Sequence, residues 1–598
     1  MQPEAREEVF EVAPREAGRA AIIRLLGRFT LRSEVRLMVL ACLVGALAGT
    51  GATFMSIVAH AMHEVLFRTG PGGFLSIVPD LSSPYMYFIP AAGGLLLGLL
   101  GLLIKRYRPK PVIDPIEANA LEGGRMSLTD SVILSSQTVL GNGFGASVGM
   151  EAGYTQWGSG VASAIGQKLG LNRADLRILV GCGAAGGIAA AFHAPLAGAF
   201  YAFELIIGVY AIPSVAPVMG AALLGYLCAG ALGAVGTPIV IPHVPHIGPA
   251  DYLPFILLGL VGALVAIAIM RLMTLIEQGF RRTGIPAALR PMVGGLAVGA
   301  LAVLSPQVLS SGEAAIHIQV GTTVTLAVLG VLLLKILAAA FSLGSGFRGG
   351  LFSAALFMGV LLGKLFAAAA AFVAPALHVD PVISGVVGMA ALAVGIVGGP
   401  VTMTFLVLEA TSNLAITGLV LTAAIMSSLT VRLAFGYSFS TWRLHLRGES
   451  IRGAFDVGIL RALTVGRLMT RDPPICPVAG RVGELRARFA SAPPRVVVLV
   501  DGAGGYAGLV RLLTLQGVAD DAPLADHLLC RDRVLHPGMR IEEAIRQFEG
   551  AGTPILTVVA EDGSGRVIGM LDEAEALHAY AQALEDQRRG IAGEEPVR

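Results

Sequence analysis

The stretch GASVGMEAGYTQ, residues 145–156, sets a single carboxylate, Glu151, among glycines and small apolar residues. Three further charges stand in equally apolar surroundings: Glu204 in PLAGAFYAFE, Glu409 in PVTMTFLVLE and Arg348 in GSGFRGG. The chemistry these residue types suggest is anion handling rather than bond-making. Helices broken by glycine present free N–H groups and a positive dipole end at their N-termini, and such ends bind anions. A carboxylate suits them as well as a halide does, so a glutamate beside one competes with a diffusible anion. No nucleophile–base constellation, metal-ligand spacing or phosphate loop accompanies these residues. GSGFRGG lacks the Lys-Ser/Thr of a P-loop and follows an apolar run, so the chain does not read as an enzyme or as a holder of a metal or organic cofactor.

The elements that must position these groups are membrane helices. The 598 residues are 55% hydrophobic and only 14% charged, where a soluble globular chain carries about 25% charged residues. Apolar runs that predict bilayer crossings recur, among them Leu37–Met55, Phe88–Leu103, Met292–Leu304 and Leu326–Leu343. Net charge is +2, which points to no nucleic-acid partner and no polybasic lipid anchor. The five cysteines, at 42, 182, 228, 476 and 530, form no CxxC pair and read as reduced thiols. Arginines before residue 37 and the basic KRYRPK at 105–110 bracket a loop with a single Arg. That asymmetry predicts a cytoplasmic N-terminus and a first hairpin that returns to the cytoplasm.

Two landmarks repeat in order. A spacing of 205 residues separates Pro195 from Pro400 and Glu204 from Glu409, and the Gly-rich break at 141–153 has a counterpart at 344–355. Duplicated halves with Gly-interrupted helices place a transport site near the membrane midplane, because non-helical backbone at that depth must be buried in protein or line water. From Thr464 to Glu585 charges become frequent and short β-rich runs alternate with helical ones, the pattern of a soluble α/β region.

At these residues the chain resembles the CLC chloride channels and chloride/proton antiporters, over nearly its whole length. GMEAG stands where the family has G-R-E-G-P, GGLFSA where it has G-G-x-F-x-P, and AAFHAPLAGAFYAFE is similar to its A-A-F-N-A-P-L-A-G-x-x-F-x-x-E. The resemblance implies an all-α polytopic membrane domain of two inverted-topology repeats, a homodimer, and one anion pathway per subunit, with chloride or a similar small anion as permeant ion. The soluble region resembles the pair of CBS domains many members carry. The expected organisation is a cytoplasmic arm (1–33), a membrane domain (34–445, repeats about 34–235 and 250–445), a linker (446–462), a CBS pair (463–585) and a disordered tail (586–598). Both termini are expected in the cytoplasm and the protein in the plasma (inner) membrane.

By the same resemblance Glu151 is the gating glutamate. The anion pathway is lined by backbone of Gly149, Met150, Ala152, Gly350, Leu351 and Phe352, with the N–H groups of Leu351 and Phe352 as its main support. The family's central-site serine and tyrosine fall on Val112, in PVIDP, and Ser440, in GYSFSTWRL, with Tyr437 as a substitute phenol. Arg348 replaces a small residue and is expected either to draw anions or pair with Glu151, or to reach the membrane surface. Antiporters of the family carry an inner glutamate where this chain has Leu205, so channel-like, proton-uncoupled flux is expected. The alternatives are an antiporter with another proton route, through acids such as Asp114 or Glu117, and a non-conducting CBS-linked anion sensor. Glu204 and Glu409 read as structural, Lys335 as facing protein or water, and His193 as a hydrogen-bonded turn residue. In the CBS pair, Asp572 and Glu575 are the candidate contacts for an adenine nucleotide.

Overall fold

The computed structural model describes residues 33–592, except 71, 110, 235–238, 240, 242–246, 324, 376–378 and 448–462. All but the last residue of the expected N-terminal arm, and residues 448–462 of the expected linker, lie outside the described residues. The chain divides into two compact units, Met1–Pro115 with Arg125–Leu446, and Ile116–Gly124 with Arg447–Arg598.

The apolar runs of the first unit become helices because the bilayer leaves the backbone no other way to satisfy its N–H and C=O groups. In chain order they are α1 (Ser33–Phe67), α2 (Ile89–Tyr107), α3 (Pro115–Ala120, falling to the second unit from Ile116 on), α4 (Leu128–Gly143), α5 (Glu151–Lys168), α6 (Arg173–Phe192), α7 (Pro195–Tyr201) and α8 (Ile212–Ala231). The second series is α9 (Tyr252–Arg282), α10 (Arg290–Leu304), α11 (Glu313–Gly321), α12 (Leu326–Ser345), α13 (Phe352–Val373), α14 (Pro381–Val397), α15 (Pro400–Thr411) and α16 (Leu414–Ala434). Each helix of the first eight has its counterpart eight places on, and α17 (Phe439–Leu446) closes the unit. Among the described residues, eight helices are long and apolar enough to cross a membrane.

The run Met292–Leu304 departs from its expectation. It forms α10, a helix of 15 residues, about 22 Å long and short of the roughly 20 residues a span needs. It is held instead by close packing on α2. A methyl group on Gly295 would stand 2.2 Å from the Pro90 carbonyl oxygen, and one on Gly94 would stand 2.2 Å from that of Pro291. Two helices whose backbones touch through glycine gain packing that lipid alone does not supply.

The second unit is α/β and is itself duplicated. After α18 (Val465–Leu468), β1 (Ile475–Pro477) runs parallel to β2 (Val496–Val500), with α19 (Val482–Arg488) between them, and β3 (Tyr506–Arg511) returns antiparallel to β2. Sixty residues on, Leu535 bridges in parallel to Val558 of β4 (Ile555–Val559), as Ile475 pairs with Val498. The helix between is α20 (Ile541–Phe548), and β5 (Val567–Asp572) is antiparallel to β4. The first module's lead-in is lent to the second, where Thr470 bridges Met570. The closing helix α21 (Glu573–Ala592) continues past residue 586, where disorder was expected; AQALEDQRR is rich in strong helix formers.

Substituting Gly295→Ala is expected to lower the thermal unfolding midpoint in detergent by an amount equivalent to about 1–3 kcal/mol, the cost of overpacking a close contact. Gly101→Ala on α2, where an added methyl meets open space, is expected to leave the midpoint unchanged or raise it slightly.

Candidate functional site

The site is built where two broken helices begin. Glu151 is the first residue of α5 and Phe352 the first residue of α13. The residues just before them, Gly149 and Gly350, exchange two backbone hydrogen bonds, of 2.9 and 3.0 Å, in an antiparallel bridge. This bridge brings the two N-termini together from different halves of the chain.

The Glu151 side chain crosses the gap. Its Oε1 accepts the backbone N–H of Ser353, in the first turn of α13. The carboxylate therefore sits on the positive end of the other repeat's helix, the place an anion would take. It is 2% exposed, and its Oε2 has no protein hydrogen-bond partner among the described residues. Both flanking glycines are required by this crossing: a methyl on Gly149 would stand 2.1 Å from Oε2, and one on Gly350 2.8 Å from it.

The loop before Glu151 is pinned by Asn142. Its Nδ2 donates to the Val148 carbonyl at 2.8 Å, its Oδ1 accepts from Ser310 Oγ at 3.3 Å, and its carbonyl lies 3.0 Å from His63 Nε2. Ser342 of α12 accepts the Ser147 N–H at 3.0 Å. Lys335, two turns earlier on α12 and fully buried, donates to the carbonyls of Val308 at 3.1 Å and Ser310 at 2.8 Å. Lys335 thus faces protein, and through Ser310 it braces the same loop.

The glutamates 205 residues apart form a reciprocal pair. Glu204 accepts from the N–H groups of Val401 (3.0 Å) and Thr402 (2.8 Å) and from Thr402 Oγ1 (2.6 Å) at the start of α15. Glu409 accepts from Leu196 (2.8 Å) and Ala197 (2.9 Å) at the start of α7. Between them Phe200 and Phe405, again 205 apart, stack at 4.5 Å. Each half caps the other's short helix.

Gly149, Met150, Glu151, Ala152, Gly350, Leu351 and Phe352 come together at the bridge. The donor to the Glu151 carboxylate is Ser353, one residue beyond Leu351 and Phe352, because the free N–H groups of a helix extend through its first turn. Phe352 instead packs its ring 4.7 Å from Phe192. Val112 is half-buried in the extended segment before α3, whose next residue, Ile113, accepts from Gln156 of α5 at 3.0 Å. Ser440 is half-buried in α17; Ser438 is the serine whose Cβ lies 3.2 Å from where a methyl on Gly398 would stand, at the turn into α15. Tyr437 stacks on His445 at 4.6 Å and bonds to it at an exposed position. Arg348 is exposed whereas Glu151 is buried, and Leu205 is buried within the π-helical turn Ala202–Ile207. His193 occupies the turn after α6 in the left-handed region (φ 52°), but its Nε2 has no hydrogen-bond partner among the described residues, so the expected hydrogen-bonded role is not observed at that nitrogen.

Two features escaped sequence reasoning. Lys364 is fully buried in α13 and donates to the carbonyl of Gln319 and to the carbonyl (2.6 Å) and hydroxyl (2.9 Å) of Thr322. A lysine within FMGVLLGKLFAAAA was the available signal. A cavity of about 820 Å³ also opens on the site, with Met150, Tyr154 and Leu356 from the first turns of α5 and α13 in its lining.

Comparison with known proteins agrees with this arrangement. The profile of the family described as "Voltage gated chloride channel" matches residues 93–432. A ClcB-like protein of Ralstonia nicotianae is 32% identical over 333 residues, covering 54% of this chain and 77% of that protein. The voltage-gated ClC-type chloride channel ClcB of Citrobacter koseri is 27% identical over 402 residues, covering 66% and 96%. Among solved structures, a slow cyanobacterial Cl−/H+ antiporter is similar with a TM-score of 0.60 at 19% identity, over 70% of this chain and 99% of that one. A eukaryotic CLC transporter gives 0.53 at 17% identity, over 93% and 98%. At these identities the two structures establish the fold.

Glu204→Gln and Glu409→Gln are each expected to lower stability by about 1–3 kcal/mol, since a buried charge-assisted cap is weakened. Thermal unfolding in detergent checks this, and anion preference in flux assays is expected to stay as in the wild type.

Proposed function

The chain belongs to the voltage-gated chloride channel family, and from that premise we propose that it conducts chloride passively across the membrane along a path that Glu151 closes. The observation that carries this reading is the Glu151 carboxylate lying on the first-turn N–H of α13, where a permeant anion would otherwise be held. Chloride displaces the carboxylate or enters when protonation removes its charge. The bridge of Gly149 and Gly350 keeps both helix ends aimed at the path, and the family's missing hydroxyl at Val112 leaves backbone donors as the main support for the anion.

Flux is uncoupled from protons in this reading. Leu205 is apolar and buried where an inner carboxylate would give a proton its stop between the cytoplasm and Glu151. Arg348, exposed ahead of the second broken helix, raises the local anion concentration. The protein is an integral multi-pass membrane protein. We place both termini in the cytoplasm of the plasma (inner) membrane, because Lys105 and Arg106 end α2 and Arg281 and Arg282 end α9. A homodimer with one path per subunit completes the proposal.

The duplicated α/β unit is read as a CBS pair. Asp572 is engaged in capping α21, its carboxylate accepting the Ala574 N–H at 2.8 Å. Glu575, exposed in the first turn of that helix, is the side chain that would meet a nucleotide's ribose.

Paired chloride and proton fluxes from proteoliposomes under a chloride gradient test the reading. Chloride efflux without proton uptake is expected, with Glu151→Ala conducting at a rate that no longer responds to pH. Proton uptake in fixed ratio to chloride, abolished by the substitution, would make the protein an antiporter with another proton route. Chloride binding without flux would make it a sensor.

A further inference from the structure

The cavity that opens on the gate carries a second carboxylate. Glu313 begins α11 and is exposed into this space. The cavity wall also holds Tyr154, three residues after Glu151 on the same face of α5, and Leu356, three after Ser353 on α13. The opposite wall is the far end of α1 and the turn Leu75–Ile77. With a cytoplasmic N-terminus, both lie on the outer side, so the cavity is the external mouth of the path.

Glu313 is the only carboxylate among the described residues lining that mouth. Glu313 shares this cavity with Met150 and Tyr154, which stand one residue before and three residues after Glu151. The other titratable groups on the wall are His60 and His63 of α1, Tyr154, His193 after α6 and His317 of α11 itself. Two buried lysines also approach α11. Lys335 has its Cε 3.3 Å from where a methyl on Gly312 would stand, and Lys364 binds the helix's C-terminal carbonyl at Gln319. Asp80 lines an adjoining cavity that shares Ser76, Ile77 and Ile318 with this one. The lysines donate to carbonyl oxygens, and His60 Nδ1 and His63 Nε2 lie 2.8 and 3.0 Å from the carbonyls of Ser56 and Asn142, which leaves Glu313 as the carboxylate of this wall.

We propose that Glu313 is a second carboxylate of the gate, which holds or releases a proton in the outer mouth and thereby sets the external acidity at which Glu151 leaves the path. This rests on the gating role proposed for Glu151. The sign follows from Coulomb's law. A negative Glu313 disfavours a second negative charge at Glu151, so Glu151 takes up its proton in less acidic solution than it would alone. Protonated histidines act in the opposite direction.

The test is chloride efflux from proteoliposomes as a function of external pH. Glu313→Gln is expected to move the midpoint of acid activation to lower pH by about one unit. Glu313→Cys, modified from outside, guards against a folding defect. An anionic thiosulfonate reagent is expected to return the midpoint toward wild type and a cationic one to drive it lower still. An unchanged midpoint in Glu313→Gln, an upward shift, or insensitivity to the sign of the adduct overturns the proposal. Glu151→Ala that keeps a wild-type pH profile would overturn the gate itself. If wild type binds chloride without flux, the transport reading fails, and the pH dependence of chloride binding by calorimetry reads the same Glu313→Gln shift.

Discussion

The structure depends on how a few backbone N–H groups at broken helix ends are satisfied where water is scarce. Each such end needs an acceptor, and this chain supplies three of them as carboxylates reaching from the other half. Two are fully committed: Glu204 takes three hydrogen bonds and Glu409 takes two, with both oxygens engaged in each case. Glu151 takes its bond at Oε1 alone, from Ser353, and its Oε2 is left without a protein partner among the described residues. A carboxylate with both oxygens held stays in place. In the proposed gate, the one held by a single oxygen on a helix end is the one a free anion replaces.

The two-fold relation between halves makes this difference visible. Gly149–Met150–Glu151 and Gly350–Leu351–Phe352 begin equivalent helices 201 residues apart, and the glycines bond to each other across the axis. At the first position of α5 stands a glutamate and at the first position of α13 a phenylalanine. A carboxylate at both would place two like charges together in an apolar setting, which is costly. One glutamate serves the opposite helix end, and the aromatic ring packs against Phe192. The gate proposed at Glu151 sits where the duplication stopped being symmetric, whereas the caps at Glu204 and Glu409 remained alike.

What could be read from the chain beforehand follows the same division. The repeat was legible at Pro195, Pro400, Glu204 and Glu409 because broken helices in a membrane demand proline, glycine and a capping charge at particular places. Glu151 was legible because a charge in an apolar run needs a reason. The donor Ser353 was not, since a backbone N–H leaves no mark in residue type. Nor was the bracing of the gate loop by Asn142, Ser342 and Lys335, whose partners lie up to 195 residues away in the sequence. Met292–Leu304 read as a span because hydropathy records composition and not the backbone contact at Gly295 that lets a shorter helix remain buried. Glu313 sits in SGEAAIHIQ, which looks like an ordinary helix start until the fold turns it toward the same cavity as Met150.

The two sides of the gate differ in kind. On the proposed orientation the outer mouth is lined by a carboxylate and four histidines along one cavity. At the position where the family's antiporters have an inner acid, this chain has the buried Leu205. An anion needs only aligned N–H donors to move, and helix ends from both halves supply them. A proton needs groups that accept and release it at each stage. In the proposed reading, protons reach Glu151 from the side of Glu313 and change its charge without being handed on past Leu205. On the proposed function, external acidity acts on this gate as a signal, while the anion alone travels the whole path.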